Sequence, residues 1–562
     1  MSEERIAPEP TGSGGEWAER PWILAAMLGS AGLLIWLVTD GNDDVPWQMA
    51  AAAFLFFGPL SAAMALERER WKEVAIFALA AGLVMAGLDW RAVSGQDRFA
   101  DEQYGFAAGV VATVIALPLF QAGFHRLRFS TPYRDIHFHV WTDAVSAAGS
   151  LAFVGLTWLM TLLLASLFQL LKIDFLMDLI EEGWFGWMLS GAAFGAALGV
   201  LRNKLGILHT LFSVVQLVLS LLAVPLALGL VVFLLAMVVS GPEVLWEATR
   251  SATPLLLACA VGAFVLTNAI VRDDDTGMTT NVLMRVTSLV LALTIFPLTI
   301  FAAVSMGTRV AAYGLSPERL WGLVAIAVAT SYGIAYLVVV IRGRLKGWRV
   351  LLRQANMNLA AGQSVFALLL ALPILNFGAI SAANQLARLD RGVVAAEDFD
   401  FAALKWDFGD AGKAALEKLV ASENAEIAKL AKEAEAMDFR PYGTTTLAER
   451  RTISENADLS QFDENTANAL RAYLRDEIVL CRDGCRAELL RESDQGKLIA
   501  LMTKSDYGLN PHLLLVKPGA EKAISQRVVK GRLVHEYEGL DGAPDVDGEV
   551  ELRPFSGYRV YV

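Results

Sequence analysis

The chain has 562 residues, 55% of them hydrophobic and 19% charged, with 59 acidic side chains against 47 basic ones. A soluble protein of this length carries about a quarter charged residues. A mean hydropathy of +0.46 argues against an ordinary soluble enzyme, and a formal net charge of −12 gives no footing for nucleic-acid binding.

The first 21 residues form a polar, acidic tail with Glu3, Glu4, Glu9, Glu16 and Glu19. A signal peptide requires a positively charged start and a small-residue cleavage site, so the first apolar run reads as a membrane span instead. Spanning needs roughly 20 mostly apolar residues. In chain order the spans are Trp22–Val38, Trp47–Leu66, Val74–Leu88, Gly105–Phe124, Ala144–Leu171, Trp184–Leu201, Leu211–Val239, Thr253–Val271, Val286–Met306, Trp321–Ile341 and Met357–Ile380. Leu211–Val239 and Trp321–Ile341 contain no Asp, Glu, Lys or Arg. The expected fold is therefore a polytopic α-helical membrane protein of about eleven spans over residues 22–381, followed by a soluble domain over residues 382–562.

Positive charge stays on the cytoplasmic side of short loops. One set of connections, with the tail, holds 17 Lys and Arg residues, ending in the loop Arg342, Arg344, Lys346, Arg349 and Arg353; the alternate set holds 6. The N-terminus is expected inside, and an odd number of spans places the C-terminal domain outside. In a bacterial inner membrane that is the periplasm.

The C-terminal domain holds 32 acidic and 24 basic residues. Helical spacing marks Phe401–Leu419, Asn424–Met437 and Asp463–Glu477. Strand patterns follow at Ile478–Cys481, Cys485–Leu490, Lys497–Thr503, His512–Val516, Ser525–Tyr537, Glu549–Leu552 and Tyr558–Val562. Helices followed by strands indicate an α+β domain. Two of the three cysteines, Cys481 and Cys485, flank Arg482-Asp483-Gly484. A three-residue hairpin there would bring them within disulfide reach, and an oxidising compartment favours the bond. Idle thiols and half of a metal site are the alternatives. Cys259, inside a span, reads as a packing residue.

Few residues carry chemistry. His137, His139 and Asp143 in R-D-I-H-F-H-V-W-T-D have the composition of a metal site if the segment is a strand; the competing reading is an amphipathic interfacial segment. Asp273-Asp274-Asp275 reads as a solvated loop. Ion-coupled transport needs ionisable groups within spans, and the interiors offer chiefly Gln216, Asn268, Gln363 and Asn376, candidates for a polar cavity. Asp89 and Asp143 are placed at span ends, where water satisfies them. No P-loop, H-E-x-x-H or G-x-S-x-G stands in a supporting context, so the balance leans against an enzyme, and neither cofactor nor metal is expected.

After the last span comes E-D-F-D-F-A-A-L-K-W-D-F-G-D, in which Phe399, Phe401, Trp406 and Phe408 alternate with carboxylates. The aromatics read as docking the soluble domain onto the membrane part, with a partner-binding edge as the alternative. Together with H-F-H-V-W-T-D-A and G-L-T-W-L-M-T-L-L-L-A-S-L-F-Q-L-L-K-I-D-F (His137 to Phe175), this segment resembles the bacterial domain-of-unknown-function family numbered 4153, a group of polytopic inner-membrane proteins. The resemblance implies the architecture and brings no catalytic residues with it.

Three functions fit this reading. The first is a non-catalytic envelope scaffold or sensor that meets a protein partner through its periplasmic domain. The second is a passive transporter, channel or lipid-handling protein. The third is a lipid-linked glycosyltransferase-like enzyme, by analogy of layout with Asp40, Asp43 and Asp44 after the first span.

Overall fold

The computed structural model describes residues 17–39, 45–95, 100, 102–240, 252–275, 281–372, 374–437, 440, 457–476, 481, 485–493, 496–505, 508–520, 522–529 and 532–535. Asp40, Asp43, Asp44 and the expected strands Glu549–Leu552 and Tyr558–Val562 lie outside them. The chain divides into two compact units, Met1–Phe377 and Gly378–Val562.

The first unit is helical: α1 (Arg20–Thr39), α2 (Pro46–Ala65), α3 (Trp71–Ser94), α4 (Glu102–Gln121), the single turn α5 (Phe124–Leu127), α6 (Tyr133–Leu170), α7 (Phe175–Glu181), α8 (Gly183–Asn203), α9 (Leu205–Ser240), α10 (Thr253–Val271), α11 (Val282–Tyr313) and α12 (Pro317–Ala371). Among the described residues ten helices are long and apolar enough to cross a membrane. Leucines at 151, 159, 163 and 167 of α6 stand exposed, as a lipid-facing surface requires.

The expected eleventh span, Met357–Ile380, is not one helix: its residues 357–371 belong to the second limb of α12, and a further helix begins at Phe377. α12 breaks at Arg344, whose φ of 49° reverses the chain. Gly343 permits the turn, because a Cβ there would lie 2.3 Å from the backbone N and Cα of Trp348. The limbs then run back against each other: Tyr336 Oη donates to Asn356 Oδ1 at 2.9 Å, and Gln363 Nε2 donates to Ser331 Oγ at 3.2 Å. The returning limb, residues 345–371, lies antiparallel along α4. Met357 shares a cluster with Leu119, Ser364 Oγ donates to the carbonyl of Ala112 at 3.1 Å, and the carbonyl of Ala371 faces Gly105. The limb is not among the ten span-length apolar helices, but it lies alongside one of them, from Leu119 to Gly105 of α4.

α1 and α8 approach each other backbone to backbone. Gly191, Gly195 and Gly199 recur every fourth residue on one face of α8. A Cβ at these positions would lie 2.3 Å from the carbonyl oxygen of Leu28, 2.2 Å from that of Leu24 and 2.5 Å from the Cα of Pro21. Lipid tails are as apolar as leucine, so spans adhere by close backbone approach, and small residues permit it.

The second unit has two cores. The first gathers α13 (Phe377–Asp390), α14 (Phe401–Trp406), α15 (Gly409–Val420) and α16 (Ala425–Glu435) around Phe399, Phe401, Leu404, Phe408, Leu416 and Leu430. The second is a six-stranded sheet in sequential order: β1 (Ala457–Asp458), β2 (Cys485–Ser493), β3 (Gly496–Ser505), β4 (Gly508–Val516), β5 (Ile524–Val529) and β6 (Arg532–His535). β1 pairs parallel to β2 and the remaining pairs are antiparallel. α17 (Glu464–Asp476) buries Leu470, Tyr473 and Leu474 in one cluster with Ile499, Leu501, Leu514 and Val516. Asp463 caps it, accepting from the Thr466 backbone N–H at 3.0 Å.

Candidate functional site

The arginine-rich helix ends of the first unit are tied together by side chains that cap helix carbonyls. Arg20 donates to the carbonyls of Arg202 and Leu66 at 3.1 and 3.0 Å, joining the ends of α8 and α2. Arg353 donates to the carbonyls of Val271 and Arg272 at 2.9 and 3.1 Å, closing α10. The last carbonyls of a helix lack partners and carry partial negative charge, so guanidinium groups suit them. Two buried polar clusters sit just inside this layer, on different faces of α6.

The first cluster centres on Asp143, 8% exposed. Its Oδ1 accepts from Gln121 Nε2 of α4 and from Arg202 Nη1 of α8, each at 3.3 Å. Gln121 also donates to the carbonyl of Met64 at 2.8 Å. Asp143 Oδ2, Gln121 Oε1, Ser146 Oγ and Ser150 Oγ are buried with no hydrogen-bond partner. On the outer rim Glu73 meets Arg70 at 3.3 Å, His125 at 3.5 Å and Arg126. Partial burial and the Arg70 charge push the His125 imidazole below its ordinary range.

The second cluster is a closed ring. Asn268 Nδ2 donates to Tyr336 Oη at 2.7 Å, Tyr336 Oη to Asn356 Oδ1 at 2.9 Å, and Asn356 Nδ2 to Asn268 Oδ1 at 2.7 Å. Asn356 Nδ2 also reaches Tyr133 Oη at 3.3 Å. The ring fastens α6, α10 and both limbs of α12. One turn away Asp275 accepts from Arg349 and Arg353 at 3.1 and 2.9 Å, and Asp273 lies 3.5 Å from Arg134.

The residues singled out from sequence fall as follows. His137 and His139 stand on helix α6, where residues two apart diverge, so the strand arrangement that would aim both rings one way is not formed. His137 packs between Tyr133 and Phe212, while Asp143 faces α4 and α8. Among the described residues no three His, Cys, Asp or Glu side chains gather as a metal site. Asp143 is enclosed by protein and paired to Arg202, where the sequence reading left it to water. Asp273 and Asp275 stand in the expected solvated loop, partly exposed, and are engaged there by arginines.

Asn268 belongs to the ring and Gln363 to the α12 hairpin, their polar atoms directed at other side chains. Gln216 is 2% exposed, with a buried Nε2 that has no partner. Asn376 is half-buried in the connection before α13. Phe399, Phe401 and Phe408 lie inside the helical core of the second unit, and Trp406 is 39% exposed. Cys481 and Cys485 form a disulfide with Cα atoms 5.0 Å apart. Most of the expected hairpin, residues 478–480 and 482–484, lies outside the described residues; the sheet neighbours of Cys485 are Ala457 and Thr503. The bond links a turn to the start of β2. Sequence reasoning missed Gln121, Tyr336, Asn356 and Arg202, which are unremarkable singly and meet only across helices.

The family described as Domain of unknown function (DUF4153) matches residues 49–419, well over half of the chain. The chain belongs to this family. The match runs from α2 through the membrane bundle into α15, so both polar clusters fall mostly within the part that defines DUF4153, and the sheet lies beyond it. No curated protein and no solved structure is detectably similar to the chain.

Proposed function

We propose that this DUF4153 member is an inner-membrane platform that displays its C-terminal sheet module outside the cytoplasm, where the module acts as a non-catalytic scaffold or sensor for a protein partner of the cell envelope. The observation that carries the reading is the Cys481–Cys485 disulfide. Its two residues are 0% and 9% exposed within the core of the sheet module, and such bonds persist where the surroundings are oxidising. Two further points bear on it. Counting the returning limb of α12 as an eleventh crossing is the reading that puts the module on the side opposite the N-terminus. The arginines collected at one set of helix ends favour that end as the cytoplasmic one.

The family match ends at residue 419, before the sheet, in keeping with a shared membrane platform and a module that this chain carries past it. The test is alkylation of a Cys259→Ser variant by a thiol reagent that cannot cross the membrane, in intact cells. Protection of Cys481 and Cys485 until a reductant is added, followed by labelling from outside, is the expected result. Labelling without reductant, or only after the membrane is broken, overturns the reading.

A further inference from the structure

We propose that Asp143 Oδ2, Gln121 Oε1 and the hydroxyls of Ser146 and Ser150 line a buried water site running from the arginine-rich helix ends into the bundle along one face of α6. The four side chains are 8%, 6%, 1% and 0% exposed, and each presents a buried polar atom without a partner. Buried polar groups in folded proteins are almost always paired, by protein or by ordered water, since an unpaired one bears its full desolvation cost. Four such atoms, three along one face of α6 and one on the adjoining α4, call for a partner other than protein.

The geometry of α6 selects these residues. Asp143, Ser146 and Ser150 stand three and four positions apart, so they share one helix face. Side chains so spaced are about 5–6 Å apart, a gap one water bridges with two hydrogen bonds of about 2.8 Å each. The three span about 10 Å along the axis. Helical hydroxyls commonly turn back onto the carbonyl four residues earlier. Thr142, Thr157, Thr161 and Ser166 of the same helix do so, at 2.7, 2.8, 2.8 and 2.9 Å. Ser146 and Ser150 do not, which leaves their hydroxyls for something inside the bundle.

Charge identifies the occupant. The Asp143 carboxylate is already matched by Arg202, and Arg20 is bonded to the carbonyl of Arg202, so a cation would enter against two guanidinium groups. An anion would meet a carboxylate and an amide oxygen. Water is neutral, donates to the two acceptor oxygens and both gives to and takes from the hydroxyls.

The substitutions Ser146→Ala and Ser150→Ala test this by the sign of their effect. In a hydrated site each alanine removes an anchor for water, and the midpoint of thermal unfolding in lipid nanodiscs falls by about 1–3 °C. In a dry interior each removes an unpaired hydroxyl, so an unchanged or raised midpoint overturns the proposal. A second measurement does not depend on stability. Hydroxyl radicals generated from water by a short X-ray exposure label side chains beside internal water. Met64, 6% exposed, whose cluster includes Ala147 next to Ser146, should be oxidised several-fold faster than Met306, which is 7% exposed and belongs to another cluster, and the excess should vanish in the double alanine variant. Equal slow oxidation of both methionines in the unaltered protein overturns the site.

Discussion

The two polar clusters flanking α6 have similar ingredients and opposite logic. Around Asn268, Tyr336 and Asn356 every amide and hydroxyl has a neighbour, and the ring closes on itself. Around Asp143 one carboxylate oxygen is held and the other is left over, and Gln121 has its amide nitrogen bonded and its oxygen left over. A fully paired network in a low-dielectric interior rigidifies and fixes which helices meet. A partly paired one persists where something else completes it. Polarity within a membrane bundle is thus no measure of function until its hydrogen bonds have been counted.

The first way to sharpen this contrast is to remove the packing that surrounds the open cluster. Gly195→Leu drives a side chain into the Leu24 backbone and should cost about 3 kcal/mol or more, read as loss of folded protein in size-exclusion chromatography. The same change at Gly229, where a Cβ meets nothing within 4 Å, should leave the elution unchanged. Asn268→Leu opens the closed ring and strands Tyr336 and Asn356; a destabilisation of about 2–3 kcal/mol is expected in denaturant titrations.

The stapled module offers an outside reference. Replacing Cys481 and Cys485 with serine should cost about 2 kcal/mol through the short loop they close, seen as earlier proteolysis of the sheet while the membrane bundle keeps its own unfolding midpoint. Gln121→Leu, the counterpart of Asn268→Leu in the open cluster, should cost only about 1 kcal/mol, because one half of that amide has no protein partner to lose. Equal losses at Gln121 and Asn268 would break the comparison.

The smallest effect is at the surface pair of Asp463 and Lys497. Hydrogen bonds from Lys497 and from Thr466 hold the Asp463 carboxyl well below its usual range, and Asp463 raises Lys497. A depressed carboxyl contributes above the ordinary carboxylate range and loses that contribution as pH falls. The raised lysine contributes below its ordinary value and loses that as pH rises past it. The stability difference between the protein and a Lys497→Met variant should therefore hold through neutral pH, shrink on acidification and shrink again at strongly alkaline pH, as followed by near-ultraviolet circular dichroism.

The sequence by itself determined that the chain is a many-span helical protein followed by a region with a small sheet, and it set two cysteines with only three positions between them. Apolar length is a local quantity: a run such as Leu211–Val239 is readable without knowing its neighbours, and residues 481 and 485 are close because only three positions separate them. Strand pattern likewise located β3 and β4, since alternation reports a single strand and its buried face.

What only the tertiary structure decided is which polar atoms meet. Asn268 lies 88 positions from Asn356, and Arg202 lies 59 from Asp143. No spacing along one helix encodes whether such groups close a ring or leave an oxygen spare. The reversal at Arg344 falls in the loop expected between the last two spans, but its form, a break at one residue between two helical limbs, belongs to the tertiary structure. So does the strand order beside Cys485. Sequence carries the cost of placing a polar group in a bilayer, but how that cost is met depends on helices distant in the chain, and there the open cluster differs from the closed one.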